Sequence, residues 1–268
     1  MKTIEFYKMA ATGNDFVVVD SRQNPIKDPV RFARSVCERR RGIGADGLLL
    51  LEPSKKADYK MRILNADGSE AEACGNGFRC VALLAHEKLG FPKKQTFESL
   101  GGIVEAGVQG GRVRVRLMNP EDIRERDHIK VGERDLYYYF LRVGVPHVVI
   151  FVQGLAGIPV FEIGREVRYH PHFKPAGTNV NFVEVKGPRA ITVRTYERGV
   201  EQNTLACGTG STASAIVSAL THRVESPVEV TTEGGEVLTV DFTRNGKTVK
   251  DVYLEGEARL VFEGKLNL

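Results

Sequence analysis

Two cysteines in nearly identical pentapeptides are the residues of this chain best suited to chemistry. Ala73-Cys74-Gly75-Asn76-Gly77 recurs as Ala206-Cys207-Gly208-Thr209-Gly210, and the two cysteines are 133 residues apart in a chain of 268 residues. Each pentapeptide precedes a long run of small and apolar residues, a pattern typical of a buried helix that begins at the cysteine. The sequence therefore predicts a duplicated unit in which a cysteine opens a central helix.

A thiol at the N-terminus of a helix lies at the positive end of the helix dipole, beside backbone N–H groups that have no partner within the helix. Both features lower a thiol pKa toward physiological pH, and the same N–H groups bind carboxylates. Two such sites favour reversible proton transfer at a carbon atom, in which one thiolate removes a proton and the opposing thiol delivers one. The alternative interpretation is that each cysteine only begins a buried helix, and the repetition of the motif argues against it.

The composition is that of an ordinary globular protein with a large core. Apolar residues make up 42% of the chain and charged residues 27%, with a formal net charge of +4. The mild positive charge suits an anionic small molecule or an ordinary surface, and it does not favour a nucleic-acid partner. The sequence lacks a membrane-spanning apolar run, a signal-peptide pattern and a disulfide framework. We therefore expect a cytoplasmic protein without a membrane partner.

The pattern along the chain predicts short strands separated by helices. The predicted helices are one that begins at Asp28-Pro29 and ends at Gly42, a central helix that ends at Gly90, one over Pro159 to Arg168, and a second central helix after Cys207. Predicted strands lie at 4–8, 16–19, 48–51, 59–64, 96–98, 103–108, 112–117, 137–143, 147–152, 181–185, 190–196, 228–232 and 236–241, with a last pair reaching Phe262. Each strand-rich half would surround one apolar helix. The charged stretch Glu121 to Lys130 is interpreted as a linker between the halves.

Three other motifs do not indicate a function. Gly42 to Gly47 matches GxGxxG, but a helix precedes it and a strand follows it, the reverse of a dinucleotide-binding site. Cys74 and Cys80 lie about 240° apart around a helix axis, so they do not share a face as metal ligands would. His170-Pro171-His172 has no accompanying metal motif. We expect no metal site, and we interpret Cys37 and Cys80 as core residues.

Six motifs resemble those of the diaminopimelate epimerase family, in the family's order and over nearly the whole chain. They are Thr12 to Phe16, Asn65 to Glu70, Ala73 to Cys80, Gly177 to Phe182, Tyr196 to Gly199 and Thr204 to Gly210. The resemblance implies a two-base epimerisation, without a cofactor, of LL-2,6-diaminoheptanedioate to the meso isomer in lysine and peptidoglycan precursor synthesis. It also implies a homodimer.

The resemblance further implies a fold of the α/β (α+β) class with two pseudo-symmetric domains. Each domain would be a mostly antiparallel, β-barrel-like sheet around a central helix. We expect the first domain to span residues 1–118, completed by a C-terminal strand at about 260–268, and the second to span residues 119–259.

Roles carry over from the family to matching residues of this sequence. Cys74 resembles the family's proton donor and Cys207 its proton acceptor, with the roles exchanged in the reverse direction. The carboxylate-binding loops match Gly75, Asn76, Gly208 and Thr209; the substrate contacts match Asn14, Asn65, Asn179, Glu197 and Arg198; and the residues that tune the thiols match His147 and Glu197. Each polar side chain also has a purely structural interpretation, as a turn cap, a surface ion pair or a core histidine.

Two positions depart from the family pattern. Val145 stands where many members have Asn, and Gly47 where some have Gln, so two amide contacts to the distal end of the substrate are missing. Each lost hydrogen bond costs about 1 kcal/mol unless it is replaced. Two other functions remain open: a proline racemase-like isomerase of the same architecture, and a thiol redox or binding protein whose working state is a Cys74–Cys207 disulfide.

Overall fold

The computed structural model describes residues 3–267, and this part of the chain forms eighteen strands, four α-helices and two short 3-10 helices. The chain divides into two compact units. The first unit combines the chain up to Arg116 with the segment from Gly256 onward, and the second spans Leu117 to Glu255. Among the described helices, none has the length and apolar character needed to cross a membrane.

The bounds of the elements, in chain order, are as follows. The strands are β1 (Thr3–Ala11), β2 (Asn14–Asp20), β3 (Gly47–Glu52), β4 (Tyr59–Asn65), β5 (Glu70–Ala71), β6 (Lys94–Ser99), β7 (Gly102–Gln109), β8 (Arg112–Arg116), β9 (Glu121–Val131), β10 (Arg134–Val143), β11 (Val145–Phe151), β12 (Asn179–Gly187), β13 (Ala190–Glu197), β14 (Gln202–Thr204), β15 (Val228–Thr231), β16 (Val237–Asn245), β17 (Thr248–Glu257) and β18 (Arg259–Asn267). The helices are α1 (Pro29–Cys37), α2 (Gly75–Leu89), α3 (Val160–Arg168) and α4 (Gly208–Leu220).

The two units have the same order of strand pairings. In the first unit the order is β18-β1-β2-β3-β4-β6-β7-β8, with the short β5 also paired to β4. In the second it is β9-β10-β11-β12-β13-β15-β16-β17, with the short β14 also paired to β13. The parallel pairs occupy the same two positions in both orders: β2–β3 and β4–β6 in the first unit, and β11–β12 and β13–β15 in the second. The other pairs in these two orders are antiparallel. This correspondence confirms the predicted fold of two pseudo-symmetric, mostly antiparallel halves.

Each sheet surrounds a central helix without closing into a barrel. Helix α2 contacts strands from both ends of the first sheet, including β18, β1, β7 and β8, and α4 contacts β10 to β13, β15 and β16. The run from Asn76 to Ala85 in α2 is therefore buried all round, as is the run from Gly210 to Ala219 in α4. Gly90 ends α2 in the left-handed conformation with φ of 77°, which confirms the predicted helix end.

The outer face of each sheet is covered by a second, shorter helix. Helix α1 packs on β2 to β4, where Val17, Leu48 and Leu50 belong to its core, and α3 packs on β12 and β13 in the same way. Strands such as β3 are consequently buried on both faces, so their sequence is a continuous apolar run rather than an alternation. Residues that face the central helix alternate with residues that face the outer helix.

Two expectations about local structure are wrong. The charged stretch from Glu121 to Lys130 is strand β9 rather than a linker, and most of its side chains are exposed, so the sequence lacks the apolar alternation of a strand. Helix α1 begins after the predicted cap Asp28 but ends at Cys37, five residues before Gly42. Glu38 is already extended, and the N–H groups of Ile43 and Gly44 fold back to the carbonyl of Val36. The glycines therefore close the turn that follows the helix.

Candidate functional site

The first unit brings its predicted site residues to one end of three adjacent strands. Strand β2 begins at Asn14, the parallel strand β3 begins at Gly47, and the antiparallel strand β4 ends at Asn65, which is paired with Gly47. The chain then passes through β5 to Cys74, the first residue before α2. Strand direction therefore places Asn14 and Asn65 at one end of the sheet, and the hydrogen bond between Asn76 and Asn14 brings Asn14 to the first turn of α2.

The second unit repeats this arrangement with different side chains. His147 near the start of β11 is paired with Asn179 at the start of β12, and the antiparallel β13 ends at Glu197. Strand β14 then leads to Cys207, which precedes α4. The predicted site residues of this unit, including Arg198 directly after β13, lie at one end of the sheet.

Both cysteines are N-caps of the central helices. The sulfur of Cys74 accepts a hydrogen bond from the N–H of Gly77 at 3.5 Å, and the sulfur of Cys207 accepts one from the N–H of Gly210 at 3.4 Å. Cys207 Sγ also lies 3.5 Å from the hydroxyl oxygen of Thr209. Serine or threonine is the usual residue at this capping position, and here a cysteine takes its place. Because the N-terminus of a helix favours negative charge, the position favours the thiolate form.

The glycine three residues after each cysteine allows close approach to the sulfur. A Cβ atom on Gly210 would clash with the amide oxygen of Asn181 and lie 3.2 Å from Cys207 Sγ. A Cβ atom on Gly77 would lie 3.3 to 3.4 Å from the side chains of Met61 and Leu49. The first N–H groups of a helix have no acceptor within that helix. Those of residues 75 and 76 in α2, and of residues 208 and 209 in α4, are therefore suited to binding a carboxylate.

A buried hydrogen-bond network holds the polar residues of the first unit together. Arg79, which is fully buried in α2, donates to the hydroxyl of Thr12 and to Asn76 Oδ1, the latter at 2.8 Å. Asn76 Nδ2 donates to Asn14 Oδ1 at 2.7 Å, and Asn14 Nδ2 donates to Asp46 at 2.9 Å. Because the buried guanidinium can only donate, it fixes the position of Asn76 Oδ1 and leaves Asn76 Nδ2 to donate to Asn14 Oδ1, so it determines how both asparagine amides are oriented.

Charged residues stand behind Asn14 at the outer end of this network. Asp15 accepts from the ammonium of Lys8 at 2.6 Å and from Arg39 at 2.8 Å, and Arg39 also bridges to Asp46. Partial burial opposes ionisation of Asp15, but the hydrogen bonds from Arg39 and Lys8 outweigh it and hold its pKa at about 2. The turn that carries Asn14 is thus fixed by ion pairs.

Two other predicted substrate contacts, Asn65 and Asn179, make local hydrogen bonds. Asn65 Nδ2 donates to the hydroxyl of Ser69 at 2.9 Å across a turn. Asn179 Oδ1 accepts from the backbone N–H of Arg198 at 2.7 Å, and the guanidinium of Arg198 donates to the carbonyl of Ala176 at 2.9 Å. These bonds position the asparagine amides and the arginine.

The environments of His147 and Glu197 favour their uncharged forms. His147 is completely buried, and this burial, with Arg198 nearby, lowers its pKa to about 3. Burial also raises the pKa of the Glu197 carboxyl above its ordinary value. Perturbed groups of this kind are common at functional sites.

The two remaining cysteines are core residues, and the two histidines of the His170-Pro171-His172 motif make structural contacts. Burial raises the pKa of the Cys37 thiol to about 11 and that of Cys80 further. His172 Nε2 lies 2.9 Å from the hydroxyl of Tyr138, and His170 caps a short 3-10 helix. Within residues 3–267 the structure contains no cluster of three or more His, Cys, Asp or Glu side chains suited to a metal.

Three buried polar residues near the caps have no role predicted from the sequence: Arg79, Asn181 and Thr195. Asn181 donates through Nδ2 to the carbonyl of Val148 at 2.9 Å and toward His147 Nδ1 at 3.3 Å, and it accepts from Thr195 at 2.9 Å. A signal was available, because Asn181 and Thr195 stand at alternate positions within predicted apolar strands, where a polar residue needs a buried partner.

Comparison with known proteins identifies close relatives over the full length. A profile of the family described as diaminopimelate epimerase matches residues 6–120 and 139–261. The diaminopimelate epimerase of Aquifex aeolicus is 43% identical over 98% of this chain and 98% of its own. That of Chlorobaculum tepidum is 41% identical over 97% of this chain and 100% of its own.

Solved structures share the fold at lower identity. A PhzF-family phenazine biosynthesis protein from Bacillus anthracis aligns with a TM-score of 0.75 and 16% identity over 100% of both chains. A hydroxyproline epimerase from Agrobacterium vitis, with bound trans-4-hydroxy-L-proline, aligns with a TM-score of 0.70 and 17% identity over 99% of this chain and 91% of that one. These similarities extend the two-unit α/β fold to proteins of distant sequence.

Proposed function

Since this chain belongs to the diaminopimelate epimerase family and is an epimerase, an enzyme of the isomerase class, we propose that it converts LL-2,6-diaminoheptanedioate to the meso isomer. The observation that carries the proposal is the duplicated cap, in which Cys74 and Cys207 each begin the central helix of a unit. We assign the reaction to lysine and peptidoglycan precursor synthesis in the cytoplasm, by a homodimer that needs no cofactor.

The proposed chemistry is a two-base proton exchange at one α-carbon. One cysteine thiolate takes the α-proton, and the electron pair of the broken C–H bond moves into the adjacent carboxylate. The thiol on the opposite face then donates its proton to the α-carbon, so the configuration inverts without any net oxidation or reduction. Cys207 accepts and Cys74 donates in one direction, and the roles exchange in the other.

The helix N-termini stabilise the charge that develops on the carboxylate. The N–H groups of Gly75, Asn76, Gly208 and Thr209 lie in the first turns of α2 and α4, where the helix dipoles favour an anion. Fixed donors of this kind need no rearrangement when the charge develops. They therefore stabilise the transition state more than the ground state.

The rest of the substrate would be recognised by the polar residues beside the caps. We assign the distal carboxylate to Arg198, and further contacts to Glu197 and the amides of Asn14, Asn65 and Asn179. In their own units these residues lie at the ends of strands or directly after one. Val145 and Gly47 supply no amide, so distal recognition would depend on the remaining contacts.

Two groups would adjust the thiols. His147 is neutral because of its burial. The raised pKa of Glu197 means that its carboxyl keeps its proton to a higher pH than an exposed carboxyl does. A neutral imidazole does not compensate the charge of a thiolate as an imidazolium would, so it leaves the sulfur reactive. We further propose that the two compact units are the two catalytic halves of the enzyme.

The experiment is incubation of the reduced protein with LL-2,6-diaminoheptanedioate in D2O, without added pyridoxal phosphate. We expect deuterium at the α-position together with the meso isomer, followed by mass spectrometry and chiral chromatography. Folded, reduced protein that produces neither would contradict the proposal, and proline and hydroxyproline would then be assayed. Activity that requires an oxidised Cys74–Cys207 pair would instead favour a redox protein.

A further inference from the structure

Three buried polar side chains in the second unit form a connected group, here called the polar trio: His147, Asn181 and Thr195. His147 and Asn181 are 0% exposed and Thr195 is 4% exposed. They stand on three adjacent strands, β11, β12 and β13, and Asn181 is directly paired with Thr195. Such a group is costly to bury unless each member has a partner.

The orientation of the Asn181 amide is determined by its neighbours. Its Nδ2 lies 2.9 Å from the carbonyl oxygen of Val148, which can only accept a hydrogen bond. Its Oδ1 lies 2.9 Å from the hydroxyl of Thr195, which donates to it. A flipped amide would set two oxygen atoms against each other at Val148, so the second hydrogen of Nδ2 must point toward His147.

This orientation determines which nitrogen of His147 carries the proton. Asn181 Nδ2 lies 3.3 Å from His147 Nδ1, so Nδ1 is the acceptor. In a neutral imidazole the proton is then on Nε2. Nε2 is buried, and within residues 3–267 no hydrogen-bond partner is described for it. The ring therefore presents an N–H donor whose acceptor is not part of the polar trio.

The first unit shows that the fold does not require these polar residues. Strand register makes Phe16 the counterpart of His147, Leu49 that of Asn181 and Ile63 that of Thr195. The central-helix glycine confirms the match, because Gly77 faces Leu49 where Gly210 faces Asn181. Apolar side chains fill the same three positions in one unit, so the polar trio has a role other than packing.

We propose that Asn181, oriented by Thr195, is a positioning residue that holds His147 as the neutral Nε2–H tautomer, so that the ring donates a hydrogen bond to an anionic acceptor instead of accepting a proton. This role rests on the epimerase function proposed above, in which the anion is either the cysteine thiolate or a substrate carboxylate. The amide of Asn181 also packs against Gly210, which donates to the sulfur of Cys207. Asn181 therefore links the ring to the cap.

The tautomer can be measured without any activity. In protein carrying 15N-labelled histidine, long-range 1H–15N correlations distinguish a protonated from an unprotonated ring nitrogen, and the His147→Gln spectrum assigns the signal. We expect unprotonated Nδ1 and protonated Nε2 in the wild type. Asn181→Leu, which copies the first unit, and Thr195→Val should reduce the Nε2–H population. A wild-type ring that is protonated on Nδ1, or charged at neutral pH, would overturn the proposal.

Kinetics then test the consequence. We expect kcat of Asn181→Leu to fall roughly tenfold, the effect of one hydrogen bond, and that of Thr195→Val to fall less. A fall in kcat with a shifted thiolate titration identifies the thiolate as the acceptor, whereas a fall in kcat together with a rise in KM, with the thiolate titration unchanged, identifies a substrate carboxylate. The control is Ser218→Ala, which removes another buried hydroxyl of this unit, bonded to the carbonyl of Ser214 at 2.7 Å. It should change neither the tautomer nor turnover.

Two results separate this proposal from the function it rests on. If Asn181→Leu leaves both the Nε2–H signal and kcat unchanged, the positioning role is wrong even though the enzyme epimerises diaminopimelate. If the wild type fails to epimerise but loses its Nε2–H signal in Asn181→Leu, the proposed function is wrong and the positioning of His147 stands.

Discussion

The two central helices begin with the same cysteine cap, but the polar groups around each cap come from different elements. In the first unit the buried network is centred on the helix itself, where Arg79 donates to Asn76 and to Thr12. In the second unit the polar groups lie in the sheet, on β11 to β13, and the helix contributes the hydroxyls of Thr209 and Thr212. Duplicated backbone geometry therefore carries two different electrostatic environments.

The comparison separates what the cap requires from what surrounds it. In both units the cysteine caps the helix by accepting from the backbone N–H three residues later, and that residue is a glycine in both, Gly77 and Gly210. The surrounding residues can differ because either apolar side chains or hydrogen-bonded polar side chains can fill the positions of the sheet that face the central helix. Two thiols with different surroundings suit a reaction in which one is charged while the other is protonated.

The largest expected effect concerns the caps themselves. Replacing Cys74 or Cys207 by alanine should lower turnover by at least about 10³-fold, because the proposed mechanism needs both thiols to transfer protons and each variant removes one of them. Deuterium incorporation and meso formation in D2O measure the loss. The matched controls are Cys37→Ala and Cys80→Ala, which remove buried thiols with raised pKa values and should affect mainly stability. Near-normal turnover in either cap variant would refute the two-base mechanism.

The next effect tests the helix-borne network of the first unit. Arg79→Met leaves the oxygen atoms of Asn76 and Thr12 without their buried donor, and we expect a loss of about 3 kcal/mol in the free energy of unfolding. It should also raise KM, because the Asn76 and Asn14 amides lose their fixed orientation. Urea denaturation and initial rates provide the two measurements.

The counterpart of Arg79 in the second unit provides its control. Thr212 occupies the same position after the cysteine, and its hydroxyl makes a single bond to the carbonyl of Gly208 at 2.9 Å. Thr212→Val should therefore cost less than about 1 kcal/mol. Equal losses in the two variants would mean that the two helices do not differ in the way described.

A third prediction concerns the dependence of stability on pH, which His147 should dominate in the second unit. In the folded protein the pKa of His147 is lowered to about 3 from an ordinary value of 6.5, so protonation of this residue favours the unfolded chain. The stabilisation is fully present above pH 6.5 and is lost as the pH falls below that value. Between pH 7 and pH 5 this group should account for a loss of about 2 kcal/mol.

The variant His147→Phe tests this by copying Phe16 of the first unit. Urea denaturation at both pH values should show a pH-dependent loss that is smaller by this amount in the variant than in the wild type. The measured quantity is the change in the free energy of unfolding between pH 7 and pH 5, compared between variant and wild type, so any pH-independent cost of the substitution cancels. An identical change in both proteins would show that His147 is not the group that takes up the proton on unfolding.

The sequence was sufficient to predict the family, the fold class and the enzyme class, because their signals are local. The repeated pentapeptides marked both central helices, and Asp28 with Pro29 marked the start of α1. The sequence does not predict strand β9, because its exposed, charged residues have no apolar alternation. It predicts an end of α1 that is too late, because the glycine signal belongs to the turn that follows the helix.

The parts of the site that sequence could not supply depend on contacts between distant segments. Arg79 and Thr12 are 67 residues apart, and His147 and Asn181 are 34 apart, so neither pair is visible in a local pattern. Strand register brings the second pair together, and helix packing the first. A polar residue at an inward strand position indicates that a partner exists, but it does not indicate which residue the partner is.

The smallest predicted effect concerns the charges behind Asn14. Arg39 bridges Asp15 and Asp46 in the first unit, whereas strand register places Pro146 and Thr178 at the equivalent positions of the second, which therefore lacks both carboxylates.

Arg39→Gln should lower the free energy of unfolding by less than about 1 kcal/mol, because the side chain is 59% exposed and its ion pairs are screened. The loss should shrink further at high salt, which thermal unfolding at two ionic strengths measures. The matched control is Arg40→Gln, an exposed neighbour for whose side chain the structure describes no ion pair. A loss of several kcal/mol in Arg39→Gln that persists at high salt would mean that these charges, rather than the buried guanidinium of Arg79, hold the polar end of the first unit together.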